Sequence, residues 1–318
     1  MVAIDAGTLI SGIIDILVDQ EDHGQHKTSA HHIVFPRDIL PYSLPTANAF
    51  HIVSTYLGSI CITHEHLDHI SGVVLNSAGF SDKHPKILAA LPDCINKLTT
   101  HIFNGSIWPN LTNEGIQPAN YLLLSRLEPN QSNSDLCKDL VITPCPISHG
   151  SHAEQQRRMS SPGLHKWSTY DSTAYFLEDN VTGKVLLVWG DVEPDAISLT
   201  PRNASVWEKA ANYIRQDRAL VGIMIECSFT TPQADRLLFG HMTPKYLVSE
   251  LCYLASMNPQ EDLSDITVII THVKEDLTCI DPEQAPRKLI FQDVKHLASK
   301  AGLKCKFIVG TPGLSLSL

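Results

Sequence analysis

The chain has 318 residues, with 24 Lys and Arg against 34 Asp and Glu, and a formal net charge of -10 at pH 7. Hydrophobic residues make up 43% and charged residues 18%, which is typical of globular proteins and excludes a disordered chain. The acidic balance argues against a nucleic-acid polymer as partner, because phosphate binding needs clustered Lys and Arg. A small anionic substrate stays compatible with it, since bound metal ions supply positive charge locally. The sixteen histidines are the unusual feature.

The eight cysteines predict a reducing compartment. None forms a C-x-x-C pair, and a chain of this length does not need a disulfide framework. An apolar run of about 18 residues, which a membrane span would need, is missing from the sequence. The first residues carry Asp5 and Asp15 and no basic region, which argues against a secretory signal. We therefore expect a cytoplasmic protein with isolated thiols and no membrane partner.

Short apolar runs alternate with helical stretches along the chain, which indicates an α/β fold. In chain order the predicted strands are Ser59–Thr63, Lys86–Ala90, Tyr121–Leu124, Leu140–Thr143, Thr173–Leu177, Val185–Trp189, Leu220–Ile225, Thr267–Ile270 and Lys306–Val309. The predicted helices are Pro92–Ile102, Ser205–Arg215, Pro244–Ser256 and Asp293–Ala301. Two polar stretches, Glu21–His32 and Ser148–Ser168, are predicted to be loops. The sequence has no internal repeat and no long linker, so we expect a single domain over residues 1–318.

The strongest motif is Thr63-His64-Glu65-His66-Leu67-Asp68-His69, which follows the apolar run SICI. Side chains at i and i+2 on a strand share a face, so His64 and His66 are placed to bind one metal ion. If the chain then turns into a helix, Asp68 and His69 point elsewhere and serve a second ion. Packing does not explain these four residues, because burying each of them without a partner is costly. The motif therefore predicts a metal site.

Three later apolar runs end in residues that complete such a site. Ile142–Ser148 leads to His149, VLLVWG leads to Asp191, and ITVIIT leads to His272. Polar side chains just past the strands gather where sheet-based sites lie. We predict two coordination spheres that share Asp191: His64, His66 and His149 for one ion, and Asp68, His69 and His272 for the other. Nitrogen and carboxylate ligands of this kind favour two zinc ions, with manganese or iron as alternatives.

The order of these residues carries a family resemblance. The pattern H-x-H-x-D-H after a strand, followed by distant His, Asp and His, resembles the metallo-β-lactamase superfamily. The longer stretch His64–Ala78 resembles the motif of class II cyclic-nucleotide phosphodiesterases. Further similarity follows in the same order through Ser172–Phe176, Trp189–Asp191, Ile225–Ser228, Phe239–Pro244 and Thr271–Lys274. The resemblance covers most of the chain, and its first motif is the specific one.

The resemblance implies an αββα sandwich with the metal ions at one edge of the sheets. It also implies a small cyclic nucleotide as substrate, and it is compatible with a homodimer. The family has an N-terminal strand and hairpin before a segment like Ala3–Gly7, whereas this sequence begins almost at that segment. We therefore expect the fold to lack or replace those strands, which would expose a sheet edge.

The resemblance further implies hydrolysis of 3′,5′-cyclic AMP, with cyclic GMP as a second candidate, to the nucleoside 5′-monophosphate. Two metal ions would generate hydroxide for in-line attack on phosphorus. By analogy with nucleases of the superfamily, His241 is the candidate proton donor to the 3′ oxygen, oriented by Glu226. Asp68 has a second candidate role as proton acceptor for the attacking water. The candidates for stacking on the base are Trp108, Tyr170 and Tyr175.

Two alternative functions stay open. The first is another hydrolase of the same fold, a nuclease or a thioesterase. A nuclease should carry a basic arm for RNA, and a thioesterase would not need the pair formed by Glu226 and His241. The second is a catalytically inactive, metal-binding regulator, against which the retention of every predicted ligand argues.

Overall fold

The computed structural model describes residues 1–24, 34–151, 169–216, 219–260, 262–276, 278 and 281–318. The chain divides into two compact units. The first is formed by Met1–Val141 together with Thr311–Leu318, and the second by Ile142–Gly310. Each unit buries a hydrophobic core of its own.

The first unit contains a parallel sheet with the strand order β1-β2-β3-β4. Its strands are β1 (Val2–Ile4), β2 (Ser59–Cys61), β3 (Lys86–Ala90) and β4 (Leu122–Arg126), and β5 (Asn133–Cys137) follows them in the chain. All of β2 and most of β3 are buried, as expected for parallel strands covered on both faces. Because β1 and β2 run in the same direction, with Ile4 beside Cys61, the residues that follow them come together.

Four α-helices belong to the same unit. They are α1 (Ile10–Gly24), α2 (Pro45–Thr55), α3 (Leu67–Ser77) and α4 (Pro92–Lys97), with a 3₁₀ turn at Arg37–Ile39. Both α2 and α4 begin with proline, whose fixed φ and missing N–H suit a first helical turn. The chain continues from α4 into a π-helical turn, Leu98–Ile102. Ile60, Ile70 and Leu88 are fully buried in the core between sheet and helices.

The segment after β1 packs backbone to backbone on α3. A Cβ atom on Gly7 would lie 2.0 Å from the carbonyl oxygen of Asp68, and one on Gly72 would lie 2.4 Å from that of Ala6. The Ala6 N–H donates to the His69 carbonyl at 2.8 Å. Only glycine permits such a close approach, so these two glycines fix the first turn of α3 against the end of β1.

Strands β6 to β11 of the second unit lie side by side in the order β11-β10-β9-β8-β7-β6. They are β6 (Leu140–Ser151), β7 (Thr169–Asp179), β8 (Val185–Trp189), β9 (Leu220–Glu226), β10 (Thr267–Thr271) and β11 (Lys306–Val309). β7 and β8 are antiparallel, whereas the pairs β8–β9, β9–β10 and β10–β11 are parallel. The parallel strands end at one edge of the sheet, so the residues that follow them gather there.

Three α-helices pack with this sheet: α5 (Asn203–Arg215), α6 (Pro244–Met257) and α7 (Pro286–Lys300). Short 3₁₀ turns lie at Asp235–Leu237 and Pro282–Gln284. Trp207 of α5 is fully buried, and its ring centroid lies 4.6 Å from that of Trp189. Its Nε1–H donates to Oε2 of Glu250 at 2.5 Å, which joins α5 to α6.

The predicted alternation of strands and helices is confirmed. Lys86–Ala90, Val185–Trp189 and Lys306–Val309 are strands with the predicted bounds. The loop predictions are wrong at two ends, because Glu21–Gly24 belongs to α1 and Ser148–Ser151 to β6, whereas residues 25–32 and 152–168 lie outside the described residues. In the part of the chain that the structure describes, no helix has the length and apolar character of a membrane span. The single domain stays a prediction.

Candidate metal centre

The first unit brings three histidines together where α3 begins. His64 and His66 lie between β2 and α3, and His69 lies in the first turn of α3. The ring centroid of His64 is 4.6 Å from that of His66 and 4.1 Å from that of His69. His64 and His69 are buried, whereas Asp68 is exposed. Adjacent imidazoles beside a carboxylate form a donor set that suits a divalent metal ion.

Asp5 supports this set from the end of β1. Its Oδ2 atom lies 2.7 Å from Nδ1 of His69 and accepts a hydrogen bond from Oγ1 of Thr63 at 2.8 Å. Its Oδ1 atom accepts the Thr63 backbone N–H at 2.7 Å. A carboxylate bound to Nδ1–H of a metal-binding histidine fixes the tautomer and makes Nε2 the better ligand. Asp5 is not among the predicted site residues, although its place directly after a short apolar run is the signal that marks the other ligands.

His64 is fixed through an intervening hydroxyl. Its Nδ1 atom lies 3.0 Å from Oγ1 of Thr63, and that hydroxyl donates its own proton to Asp5. The Thr63 oxygen therefore accepts from His64 Nδ1–H, and Nε2 keeps the lone pair. One carboxylate thus sets the tautomer of both His64 and His69.

In the second unit, Asp191 lies among three imidazoles. Its Oδ2 atom is 3.3 Å from Nε2 of His272, 3.6 Å from Nε2 of His149 and 3.8 Å from Nδ1 of His241. Asp191 is only 2% exposed. The positions after β8 and β10 supply Asp191 and His272, as the parallel order of these strands requires. A buried carboxylate that faces several nitrogen donors is suited to bind a cation with them.

Burial keeps His149 neutral. Desolvation lowers the pKa of its imidazole to about 4, although Asp191 acts in the opposite direction. Its Nδ1–H donates to the carbonyl of Gly240 at 2.9 Å. Gly240 has a φ of 86°, and a Cβ atom there would lie 2.3 Å from the His149 carbonyl oxygen, so the contact requires glycine. His149 therefore presents the lone pair of Nε2, which is the form that binds metal ions.

The pair assigned to proton transfer is in direct contact. Nδ1 of His241 lies 2.9 Å from Oε1 of Glu226, and the Val192 N–H donates to the same oxygen at 2.8 Å. Burial alone would raise the pKa of Glu226, but the charge of His241 and its hydrogen bond bring that pKa below the ordinary value. Burial likewise opposes protonation of His241, and Glu226 outweighs it, so the pKa of His241 is raised. Each residue of the pair therefore favours the charged form of the other, and Nδ1 is the nitrogen of His241 that faces Glu226.

Ser228 extends this carboxylate to His272. Its Oγ atom lies 2.6 Å from Oε2 of Glu226 and 3.1 Å from Nδ1 of His272. A hydroxyl has only one proton to donate. Since the Ser228 hydroxyl donates it to Glu226, the Ser228 oxygen accepts the hydrogen bond from Nδ1–H of His272. His272 thereby presents its Nε2 atom toward Asp191. Ser228 is not among the predicted site residues, although it lies two residues after Glu226 in the sequence.

The donor set of the described residues fits divalent metal ions. Four of the predicted ligands have Nδ1 engaged by a protein acceptor and Nε2 set as the donor nitrogen: His64, His69, His149 and His272. The first unit holds His64, His66, Asp68 and His69, and the second holds His149, Asp191 and His272. Within the second unit, ligand atoms of Glu226, His241 and His272 also lie within 4.8 Å of one another. Tautomers set by protein acceptors are typical of metal-binding histidines.

Comparison with known proteins identifies the family. The family model described as class II cAMP phosphodiesterases matches residues 2–313. The chain belongs to the class II cAMP phosphodiesterases. The family predicted from the His64–Ala78 motif is thereby confirmed, and so is the prediction that this phosphodiesterase-family chain is an enzyme.

A curated relative supports this assignment, and two solved structures share the fold. The 3′,5′-cyclic-nucleotide phosphodiesterase of Schizosaccharomyces pombe is 34% identical over 265 residues, which are 82% of this chain and 69% of the relative. The crystal structure of unliganded yeast PDE1 has a TM-score of 0.78 at 24% identity, over 98% of this chain and 89% of its own. The metallo-β-lactamase fold protein YhfI from Bacillus subtilis has a TM-score of 0.50 at 12% identity, over 85% and 81%. The predicted metallo-β-lactamase-like fold of the phosphodiesterase-family chain is confirmed.

Proposed function

We propose that the chain hydrolyses 3′,5′-cyclic AMP to 5′-AMP, with cyclic GMP as a second substrate. The observation that carries this proposal is the buried contact between Nδ1 of His241 and Oε1 of Glu226, at 2.9 Å and beside Asp191. The family description and the name of the S. pombe relative support a cyclic nucleotide as the substrate. Family membership also favours this function over a thioesterase or an inactive regulator.

Two divalent metal ions are part of the proposal, zinc first, with manganese or iron as alternatives. His64, His66 and His149 would hold one ion, Asp68, His69 and His272 the other, and Asp191 would serve both. The support is the donor set itself, in which four histidines have Nδ1 engaged by a protein acceptor and Nε2 set as the donor nitrogen. When bound, such ions lower the pKa of water and neutralise the oxygens of a phosphodiester.

Different residues of the chain carry out the two proton transfers of the reaction. Water attacks phosphorus, a new P–O bond forms, and the bond between phosphorus and the 3′ oxygen breaks. The leaving alkoxide is a strong base, so His241 donates its Nε2 proton to it, and Glu226 stabilises the imidazolium until that step. Asp68, exposed at the start of α3, accepts a proton from the attacking water.

We propose Tyr170 for stacking on the base. Its ring centroid lies 6.4 Å from that of His149, next to the predicted ligands. Tyr175 is fully buried, and Nε1 of Trp108 donates to Ser77 in the first unit. Tyr170 is half-buried, so its ring is more accessible to a ligand than that of Tyr175. Tyr170 is therefore the candidate for stacking on the base. The test is the Michaelis constant for cyclic AMP in a variant at this position.

We also propose the cytoplasm as the compartment. Seven cysteines of the described residues are free, and five of them are buried. Desolvation raises the pKa of the Cys61 thiol to about 12, so it is unreactive as well. A tagged chain is expected in the cytosolic fraction, and recovery with a secreted or membrane fraction would contradict this.

Turnover of cyclic AMP by the purified, zinc-loaded chain tests the central proposal. We expect 5′-AMP as the product, identified by chromatography, and its loss in His64→Ala and in Asp191→Ala. The matched control is His296→Ala, which removes an exposed histidine of α7 and should leave turnover unchanged. A folded, metal-loaded chain that forms no 5′-AMP would refute the proposed substrate.

A further inference from the structure

The first unit contains a cavity of about 680 Å³ to which the proposed function assigns no role. Its walls come from α1, α2, the last turn of α3, the turn that follows α3, and the start of β3. The volume falls within the range of small-molecule sites, roughly 300 to 1,000 Å³. The cavity therefore has room for a compact organic ligand.

Aromatic and aliphatic side chains in the wall are open to solvent. Phe50 is 60% exposed, Tyr42 is 55% exposed, and Leu75 is 64% exposed, and all three line the cavity. Phe80 lines the same cavity. Large apolar side chains that converge on a concave surface mark a place where a ligand removes them from water. The body of that ligand is therefore apolar.

One wall of the cavity carries a buried cation. Lys86, the first residue of β3, is only 4% exposed. Its Nζ atom donates to the carbonyl of Ser54 at 2.8 Å, and because Ser54 also lines the cavity, the ammonium lies at the cavity wall. Among the described residues no carboxylate forms an ion pair with Lys86. Burial accordingly lowers the pKa of this amine.

The carbonyl of Ser54 only partly compensates the charge. It belongs to the last turn of α2, where the helix dipole supplies about half of a negative charge. A lysine ammonium has three N–H donors, and the Ser54 carbonyl accepts one of them. A ligand with a negative group would supply the remaining charge and accept the other hydrogen bonds.

We propose that this cavity binds a small organic anion with an aromatic body. The aromatic body would lie against Phe50 and Tyr42, and its anionic group would accept hydrogen bonds from Lys86. His51 and His84 also line the cavity. The proposal goes beyond the phosphodiester chemistry, and none of the predicted metal ligands lines the cavity.

Two fluorescent probes that differ in one group test the charge. Anilinonaphthalene sulfonate has an aromatic body and one sulfonate, and phenylnaphthylamine is the same body without the charge. We expect the sulfonate to bind the full chain about tenfold more tightly than the neutral probe, which corresponds to about 1.4 kcal/mol. Lys86→Met should abolish that preference, and Lys86→Arg should keep it. Lys83→Met removes a charge from an exposed position outside the lining of the cavity, and it should leave the affinity for both probes unchanged.

Two further variants locate the probes without disturbing the core. Phe50→Ala should weaken both probes, because Phe50 is an exposed part of the wall. Tyr253→Ala, which removes an aromatic side chain exposed on α6, should weaken neither. Equal affinity for the charged and the neutral probe would overturn the proposal. So would an unchanged preference in Lys86→Met, or probe binding that Phe50→Ala leaves intact.

Discussion

The Oδ2 atom of Asp5 lies 2.7 Å from the Nδ1 atom of His69, although the two residues are 64 positions apart in the sequence. This carboxylate also fixes a second histidine through the hydroxyl of Thr63. The second unit repeats the arrangement with other residues, because Glu226 contacts one imidazole directly and another through a serine hydroxyl. In each unit, a single buried or half-buried carboxylate therefore orients two histidines.

Asp5→Asn should weaken metal binding without unfolding the chain. The amide oxygen can still accept the Thr63 N–H, but the amide nitrogen is a donor and cannot accept from His69. We expect zinc affinity to fall roughly 10- to 100-fold, measured by competition with a chromophoric chelator. Asp38→Asn, at an exposed position of the first unit, is the matched control. Unchanged zinc affinity in a folded Asp5→Asn chain would show that this carboxylate does not support a ligand.

His241→Asn should slow the hydrolysis of cyclic AMP by roughly 100- to 10,000-fold, because the 3′ oxygen then leaves without its proton. A phosphodiester with a p-nitrophenolate leaving group does not need that proton, and its hydrolysis should fall much less. Comparing kcat for the two substrates therefore isolates the proton transfer. Glu226→Gln should change the kcat for each substrate in the same direction as His241→Asn does. An equal loss on both substrates would assign His241 to metal or substrate binding instead.

Gly240→Ala should displace His149. Both Gly240 and Gly302 have positive φ, 86° and 76°, so alanine is strained at either position. Only at Gly240 would the added Cβ meet backbone, the His149 carbonyl oxygen at 2.3 Å, whereas nothing lies within 4 Å at Gly302. We expect Gly302→Ala to lower the free energy of unfolding by about 1 kcal/mol and to keep full zinc affinity. Gly240→Ala should destabilise more and lose zinc affinity, and equal behaviour of the two variants would contradict this.

Glu250 should make stability depend on pH in an unusual direction. Burial raises the pKa of this carboxyl above 4.5, although Trp207 and the Asp195 N–H donate to it. Its contribution to stability is complete below the unfolded pKa and is lost as pH rises through the folded pKa. The unfolding free energy of the native chain relative to Glu250→Gln should therefore fall as pH rises above about 4.5 in urea titrations.

Glu114 supplies the opposite control for that experiment. The hydrogen bonds from Arg126 lower the pKa of this half-exposed carboxyl, so its contribution is present above 4.5 and is lost as pH falls. Relative to Glu114→Gln, the native chain should gain stability as pH rises, by a small amount because the pair is exposed to solvent. Slopes of the same sign for Glu250→Gln and Glu114→Gln would contradict the role of burial at Glu250.

Candidate ligands can be predicted from the sequence because metal chemistry restricts the residue types that bind an ion. The motif around His64 has few other physical explanations, and strand ends such as those before Asp191 and His272 follow directly from the apolar runs. The fold class follows for the same reason, since alternation of runs and helices is a long-range pattern. These features depend on residue type and spacing, which the sequence displays.

Contacts that depend on the third dimension could not be predicted. Asp5 and Thr63 meet only because β1 and β2 are parallel neighbours, and β1 has just three residues. Tyr175 is a candidate for stacking from its sequence, yet residues 172–176 of β7 are all buried. A strand buried on both faces shows no alternation, so its pattern does not tell which side chains reach a ligand.

Helix α3 has Asp68 and His69 in its first turn, and Leu75 and Asn76, which line the cavity, in its last turn. Its eleven residues form one rigid rod, and about 10 Å along its axis separates the two ends. A displacement of one end of this helix therefore displaces the other end as well. Any organic anion whose affinity depends on the position of α3 is therefore thermodynamically linked to the metal ions, and each ligand changes the affinity of the other by the same factor.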